Sequence, residues 1–566
     1  MNTKILTSQI LTILTEIFPT NLAQILADKI AAEVMLLDTP PTGPGQDTDR
    51  ELFSESDIWL ITYGDSLQSP KKSHLDTLHS FLHSQLSDTI SDIHLLPIYP
   101  YTSDDGFAVS DFTQIRPELG TWQDVESLAT DYGVTLDFPL NHISASHPWF
   151  QKFLQGAPGF EKIAISQDPD KDLSAVVRPR TSPLLTCFTN HLGEPVFVWT
   201  TFSADQIDLN YRDAFVFFES IKTILLYLSH GMSCIRLDAI TYLWKEVGTS
   251  CVHLPQNHAY VRLVRVIFGH LPHRAFILTE TNVPHRENIS YFGDGHNEAH
   301  LIYNFTLPPL LAYALHTGDG DHLSAWAKTL VTPSDTCQFF TFTASHDGIG
   351  LRPLEGILTD KEKTTLIRHT KRMGGQLSLK YNPDGSESVY ELNISYLDLM
   401  NELHLTEEIW LRKFLTSQLI MLAFPGVPAV YIHSLLGTRN WHKGYQQTKH
   451  NRTLNRQPLL VEDILPELHN AKTIRGQIFS QYRQYLKVRK NHKAFHPLGN
   501  WKILDIHSSV FGISRTYQDE TVVCISNLTD KSILLSKDYL GSDLLTNVYH
   551  WYEITLEAYQ TVWLRK

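Results

Sequence analysis

The feature that most restricts the fold is a recurrence. Eight short apolar runs of strand length follow one another: Ile58–Tyr63, Ile93–Ile98, Val134–Phe138, Ser233–Asp238, Ala275–Glu280, His300–Asn304, Gln338–Thr343 and Val427–Ile432. Stretches with helical periodicity, such as Ala214–Ser229 and Tyr260–Phe268, separate most of them. Strands alternating with helices predict parallel pairing through helical crossovers. Eight such units are the number that closes a (β/α)8 barrel, an α/β fold whose chemistry gathers at the carboxyl ends of the strands.

Those ends carry charge. The second run leads into Ser103-Asp104-Asp105-Gly106-Phe107, and the third into Asp137-Phe138-Pro139-Leu140-Asn141-His142. The fourth, fifth and seventh end in Arg236-Leu237-Asp238, Leu278-Thr279-Glu280-Thr281-Asn282 and Ser345-His346-Asp347-Gly348. Arg236 and Asp238 share a side of their strand because side chains repeat every two residues. Burying such a pair is costly unless the two serve each other or a ligand. A structural ion pair explains one strand end. It does not explain three carboxylates, Asp238, Glu280 and Asp347, at matching ends beside His142, Arg236 and His346.

Clustered acids suit a hard metal ion, and they equally suit glycosidic chemistry. Retaining cleavage needs one carboxylate as nucleophile and a second as acid/base. The oxocarbenium-like transition state gains from a further fixed anion. Arg236 beside Asp238 favours an ionised nucleophile. Glu280, followed by neutral residues, is suited to hold a proton until the leaving oxygen needs it.

The rest of the chain frames this core. A length of 566 residues exceeds a single simple core and predicts additions to a large domain. Residues 1–55 read as two helices and a Pro/Gly/Asp-rich linker (residues 38–50). Residues 56–493 form the barrel, with long excursions at 143–208 after the third strand and 348–405 after the seventh. The second excursion contains a turn-rich run at residues 380–385. Residues 494–566 alternate in Val510–Arg515, Thr521–Ser526, Ser532–Leu535 and Thr561–Leu564, which predicts a C-terminal antiparallel β domain.

A net charge of -14 argues against nucleic acid and anionic membranes as partners. No stretch is apolar and long enough to span a bilayer, and the interrupted run Ile5–Phe18 does not read as a secretory leader. Five scattered cysteines without a CxxC pair predict reduced thiols and a cytoplasmic location, not a disulfide framework or a zinc site.

The four stretches DFPLNH (137–142), IRLDA (235–239), LTETN (278–282) and ASHDG (344–348) resemble, in order and spacing, the four signature regions of glycoside hydrolase family 13, the α-amylase superfamily. The resemblance implies Asp238 as nucleophile, Glu280 as general acid/base and Asp347 as transition-state stabiliser, with His142, Arg236 and His346 on the bound glucosyl unit. Further runs, among them SDDGFAVSDF, RPRTSPLLTCF, TTFSADQIDLNYR, SHDGIGLRPLEGIL and TLNRQ, are similar to the sucrose-phosphorylase branch, and most similar to its glucosylglycerate-phosphorylase members.

That branch implies a glucose pocket closed by an aspartate paired with an arginine, here Asp104 with Arg456. It also implies Phe107 as sugar platform, and Phe202 and Gln206 along the wall. It implies no metal and no organic cofactor. Small-molecule partners follow: an α-glucoside, inorganic phosphate and glucose 1-phosphate. A homodimer is admitted. Attack by phosphate in an acid-rich pocket calls for local cations, and Arg180 and Arg352 on the two excursions are the candidates. Either suits the carboxylate of a glycerate acceptor equally well. Tyr242 and Asn282 are further wall residues. Sucrose phosphorolysis, hydrolysis or transglucosylation with the same three acids, and a non-catalytic binding role are the alternatives.

Overall fold

The computed structural model describes residues 3–37, 43–48, 50–382, 384–535 and 538–566. Most of the expected linker falls within this span, but residues 38–42 and 49 lie outside the described residues, as does Pro383 of the turn-rich run.

The eight expected runs form eight parallel strands: β1 (Trp59–Thr62), β2 (Asp92–Leu95), β3 (Gly133–Phe138), β4 (Cys234–Leu237), β5 (Phe276–Thr279), β6 (Leu301–Tyr303), β7 (Gln338–Phe342) and β8 (Val427–Tyr431). They close into a barrel in the order β1-β8-β7-β6-β5-β4-β3-β2. Each strand is buried along its length. Helices cover the outer face and side chains fill the inner one, so both faces of each strand must be apolar. That double burial is why the strands read as continuous apolar runs and not as alternating ones.

Several ladders stop short of the runs that predict them. Asp238 and Glu280 lie one residue past the end of their strands, and Asp347 lies five residues past the end of β7. Their backbones leave the sheet there, which turns the side chains toward the mouth of the barrel.

The excursion after β3 holds an antiparallel hairpin, Leu185–Thr189 with Pro195–Trp199. At its root His142–Ser144 pairs with Gln206–Asp208, in the register His142↔Asp208. The excursion after β7 holds a helix, Asp360–Arg372, and a three-stranded sheet of Ile349–Gly350, Glu387–Asn393 and Gln376–Tyr381. At the N-terminus, α1 (Thr3–Leu14) and α2 (Thr20–Leu36) pack on the barrel helices Ala214–Ser229 and Pro255–Gly269. Phe18 meets Phe217 edge-on at 5.1 Å, and His270 bonds Gln9 at 2.6 Å.

The C-terminal region is a six-stranded antiparallel sheet with a separate two-stranded piece. Its first strand, Asn500–His507, was not among the expected ones, because lysine, aspartate and histidine interrupt its apolar alternation. The expected strand at 532–535 is Ile533–Leu534, which pairs with Thr555–Leu556 outside the main sheet. Among the described residues no helix is long and apolar enough to cross a membrane.

Candidate active site

One cavity opens at the carboxyl end of the barrel. Asp238, Glu280 and Asp347 all line it. The register between β3 and β4 sets Asp137 beside Arg236. Arg236, 1% exposed, donates through Nη1 to Asp137 and to Asp238 Oδ1, the latter at 2.7 Å. Asp137 also bonds His94 Nε2 at 2.9 Å. One guanidinium therefore serves two buried carboxylates.

After Asp238 the chain turns through Ala239 in a left-handed conformation, φ 53°. A non-glycine residue in that region is strained, and such strain collects at functional sites. The turn brings the Ala239 N–H to Glu280 Oε2 at 3.2 Å.

Burial pushes the Glu280 carboxyl up, with Arg236 opposing and Asp347 reinforcing. Burial also raises Asp238, against Arg236, with Glu280 adding to the rise. The two titrate as a pair. Arg236 hydrogen-bonds Asp238 and not Glu280, a contact that favours the charge on Asp238. Asp347 behaves differently. Burial raises it too, but the Arg452 guanidinium, 2.6 Å from Oδ1, holds its carboxyl well below the usual range.

His346 is buried, and burial keeps it neutral. Its ring stacks on Phe107 at 5.1 Å, and neither ring nitrogen has a hydrogen-bond partner. Buried nitrogens without partners are rare in folded proteins and suit a ligand's hydroxyls. His142, also kept neutral by burial, donates from Nε2 to the Phe107 carbonyl at 3.1 Å. Below it Lys245 reaches Asp208 and Asn141, both at 2.6 Å.

Of the residues that the sequence brought forward, Asp104, Phe107, His142, Arg180, Phe202, Gln206, Tyr242, Asn282 and His346 line the cavity together with the three acids. Arg236 and Arg456 are buried behind its wall. Arg352 lies outside, in a neighbouring cavity between the two excursions.

One expected pairing is corrected. Arg456 pairs through Nη1 with Asp105, at 2.6 Å, and not with Asp104. Asp104 instead accepts from Gln206 Nε2 at 3.2 Å. The cause is local. Asp104 and Asp105 both take left-handed backbone angles, φ 55° and 49°. The tight turn sends the two side chains to different partners, Asp104 into the cavity and Asp105 toward Arg456.

Sequence reasoning passed over Arg452, Tyr390, Thr241 and Thr281, which also line the cavity. Arg452 stands four residues before Arg456 in the run NRTLNRQ, so its signal was present. It bonds Glu391 through Nη2 at 2.8 Å and Nε at 3.1 Å. Arg180 stacks its guanidinium over Tyr390 at 5.1 Å and Phe202 at 5.8 Å. Among the described residues it has no carboxylate partner within ion-pair distance.

Residues 88–347 match the family model described as alpha amylase, catalytic domain. The chain is 46% identical, over 84% of its length and 81% of the relative's, to a glucosylglycerate phosphorylase of Spirochaeta thermophila. It is 40% identical to a glucosylglycerate phosphorylase of Escherichia coli, over 91% of this chain and 93% of that one. Among solved structures it superposes on the sucrose 6F-phosphate phosphorylase from Thermoanaerobacter thermosaccharolyticum with a TM-score of 0.73 at 25% identity, covering 84% of this chain and 94% of that one.

Proposed function

The chain belongs to the α-amylase family, and we propose that it is a retaining glycoside phosphorylase that passes the glucosyl unit of 2-O-α-D-glucosyl-D-glycerate to inorganic phosphate. The observation that carries the transfer to phosphate is Arg180. A guanidinium without a carboxylate partner lines a cavity otherwise rich in acids, and a cation so placed suits an incoming oxyanion. Glycerate as the leaving group is supported by the relatives at 40–46% identity, which are glucosylglycerate phosphorylases.

In the first step Glu280 gives its proton to the glycosidic oxygen, and glycerate leaves. Asp238 attacks the anomeric carbon through Oδ2, since Oδ1 is held by Arg236. The product is a covalent glucosyl ester of inverted configuration. In the second step a phosphate oxygen attacks the same carbon, the Asp238 ester bond breaks, and the phosphate's proton returns to Glu280. Two inversions give retention, and α-D-glucose 1-phosphate leaves.

Asp347, kept ionised by Arg452, faces the positive charge that develops on the ring. His346 and His142 stay neutral and serve the sugar hydroxyls. The Phe107 ring offers an apolar face to the hexose. The excursions at 143–208 and 348–405 supply the acceptor side, and the divisions near residues 55 and 493 belong to the same reading.

The test runs the reaction in reverse. Purified protein receives α-D-glucose 1-phosphate with D-glycerate, D-fructose, glycerol or fructose 6-phosphate, and phosphate release is followed. The expected acceptor is D-glycerate. Turnover with fructose and none with glycerate overturns the choice of substrate. Release of free glucose alone overturns the phosphorylase.

A further inference from the structure

The two excursions enclose a second cavity of about 610 Å³, beside the first. Three cations line it: Arg178, Arg352 and Lys380. One carboxylate, Glu355, lines it with them. The ion pairs present are loose. Arg352 stands 3.8 Å from both Glu287 and Glu355, and Lys380 stands 3.7 Å from Glu355. Arg178 lies over the Tyr381 ring at 4.9 Å and donates to the Ser182 carbonyl. The Arg352 Nε is buried without a hydrogen-bond partner. Burial, reinforced by the Arg352 guanidinium, pushes the Lys380 ammonium down, as expected where positive charge exceeds negative.

The sequence Arg178-Pro179-Arg180 joins the two cavities. Arg178 and Pro179 line the outer one and Arg180 the inner one. An anion leaving the outer cluster therefore meets the next cation two residues along the same segment. The protein as a whole carries a net charge of -14, so its far field repels anionic substrates. A cationic mouth offsets that repulsion where it matters. We propose that the outer cavity is an oxyanion port, which holds inorganic phosphate or the carboxylate of an acid acceptor before either passes Arg180 into the central cavity. The port rests on the phosphorylase reading, and it adds a second anion-binding station distinct from the reacting centre.

The experiment uses the full chain with α-D-glucosyl fluoride, a neutral donor, so that only the acceptor carries charge. Wild type is compared with Lys380→Gln, Lys380→Glu and Lys380→Arg, and with Arg178→Gln as a second site. Inorganic phosphate and D-glycerate are supplied in separate arms, each at several ionic strengths. At low salt, Lys380→Gln should lower kcat/KM for the anion about three- to tenfold, and Lys380→Glu should lower it further. Lys380→Arg should restore it, and the gap should close as salt screens the field. Hydrolysis of the fluoride without an anion should stay unchanged. A loss in both arms assigns the port to both anions; a loss in one arm assigns it to that anion. If wild type makes glucose 1-phosphate while every variant keeps its kcat/KM and salt dependence, the port is overturned alone. If wild type makes only free glucose with phosphate present and no glucose 1-phosphate, the phosphorylase reading falls and the port with it.

Discussion

Arg452 offers the sharpest test of how the site is held charged. It links Asp347 to Glu391, a carboxylate that is 1% exposed. Consider Arg452→Met. Glu391 is then left buried without its partner, so the variant should lose on the order of 3–5 kcal/mol of stability, less whatever is returned by no longer burying the guanidinium.

Adding Glu391→Gln removes the orphaned charge and should recover most of the loss. Activity should not recover with it. Asp347 is still without the cation that keeps its carboxyl down, and burial then raises it. Its ionised fraction grows with pH, so both variants should show an acid limb in kcat/KM that wild type lacks over the same range. Near neutrality both should turn over about a hundredfold or more slowly. The assay is phosphorolysis between pH 5.5 and 9, beside denaturant midpoints for the two single variants and the double. A double variant with wild-type kcat/KM and no acid limb refutes the claim that Arg452 holds the charge on Asp347.

Three further outcomes follow from the same geometry. Glu280→Gln should slow cleavage of glucosylglycerate by about 10²–10⁴ and slow turnover of α-D-glucosyl fluoride far less, because fluoride leaves with little help from an acid; steady-state rates with the two donors decide it. A Cβ on Gly350 would lie 2.5 Å from Asn282 Oδ1, so Gly350→Ala should displace Asn282 and raise KM for glycerate while fluoride hydrolysis holds. Acid should destabilise the fold, since burial drives His147, His285 and His369 down to about 4 and His433 to about 3. Below about pH 6.5 the unfolded chain takes protons that these folded rings refuse, so stability falls as pH falls, by about 2 kcal/mol per ring at pH 5. Asp57, raised by burial to about 6, works the other way and returns about 1.4 kcal/mol. The net loss of about 6 kcal/mol corresponds to a melting point about 5 °C lower at pH 5 than at pH 7.5, and an unchanged melting point would contradict it.

The barrel was legible because its strands are buried on both faces and so announce themselves as apolar runs. The acids were legible because a strand end gives each one an address. What lacked an address was missed. Tyr390 and Glu391 sit on a strand of the excursion after β7, and nothing in the local pattern says that this strand folds back over the barrel mouth. Asp104 and Asp105 show a second limit. Identical neighbours carry identical chemistry, and only the left-handed turn decides which of them meets Arg456. Arg452 and Arg456 show the same ambiguity on the basic side: both reach the site from the turn at Asn451–Arg456, in different directions.

The balance of charge around the cavity carries the reading of its chemistry further than any single residue. Arg236 answers Asp137 and Asp238, Arg452 answers Asp347 and Glu391, and Arg456 answers Asp105. Asp137, Asp238, Asp347 and Glu391 could not stay largely buried as anions without their partners, and the half-exposed Asp105 occupies Arg456, so the three arginines are already committed to these acids. Arg180 is not committed in that way. Its guanidinium is held in place by two aromatic faces, a contact that fixes position without neutralising charge. Water as second substrate has no use for such a cation, and a neutral sugar acceptor gains little from it. An anionic second substrate needs it, because the ester on Asp238 must be attacked by a dianion within reach of Glu280 and Asp347. On the proposed mechanism, the uncommitted cation is what separates phosphorolysis from hydrolysis on a shared set of acids. Arg180→Gln should shift the products from glucose 1-phosphate toward free glucose while glycoside cleavage itself continues.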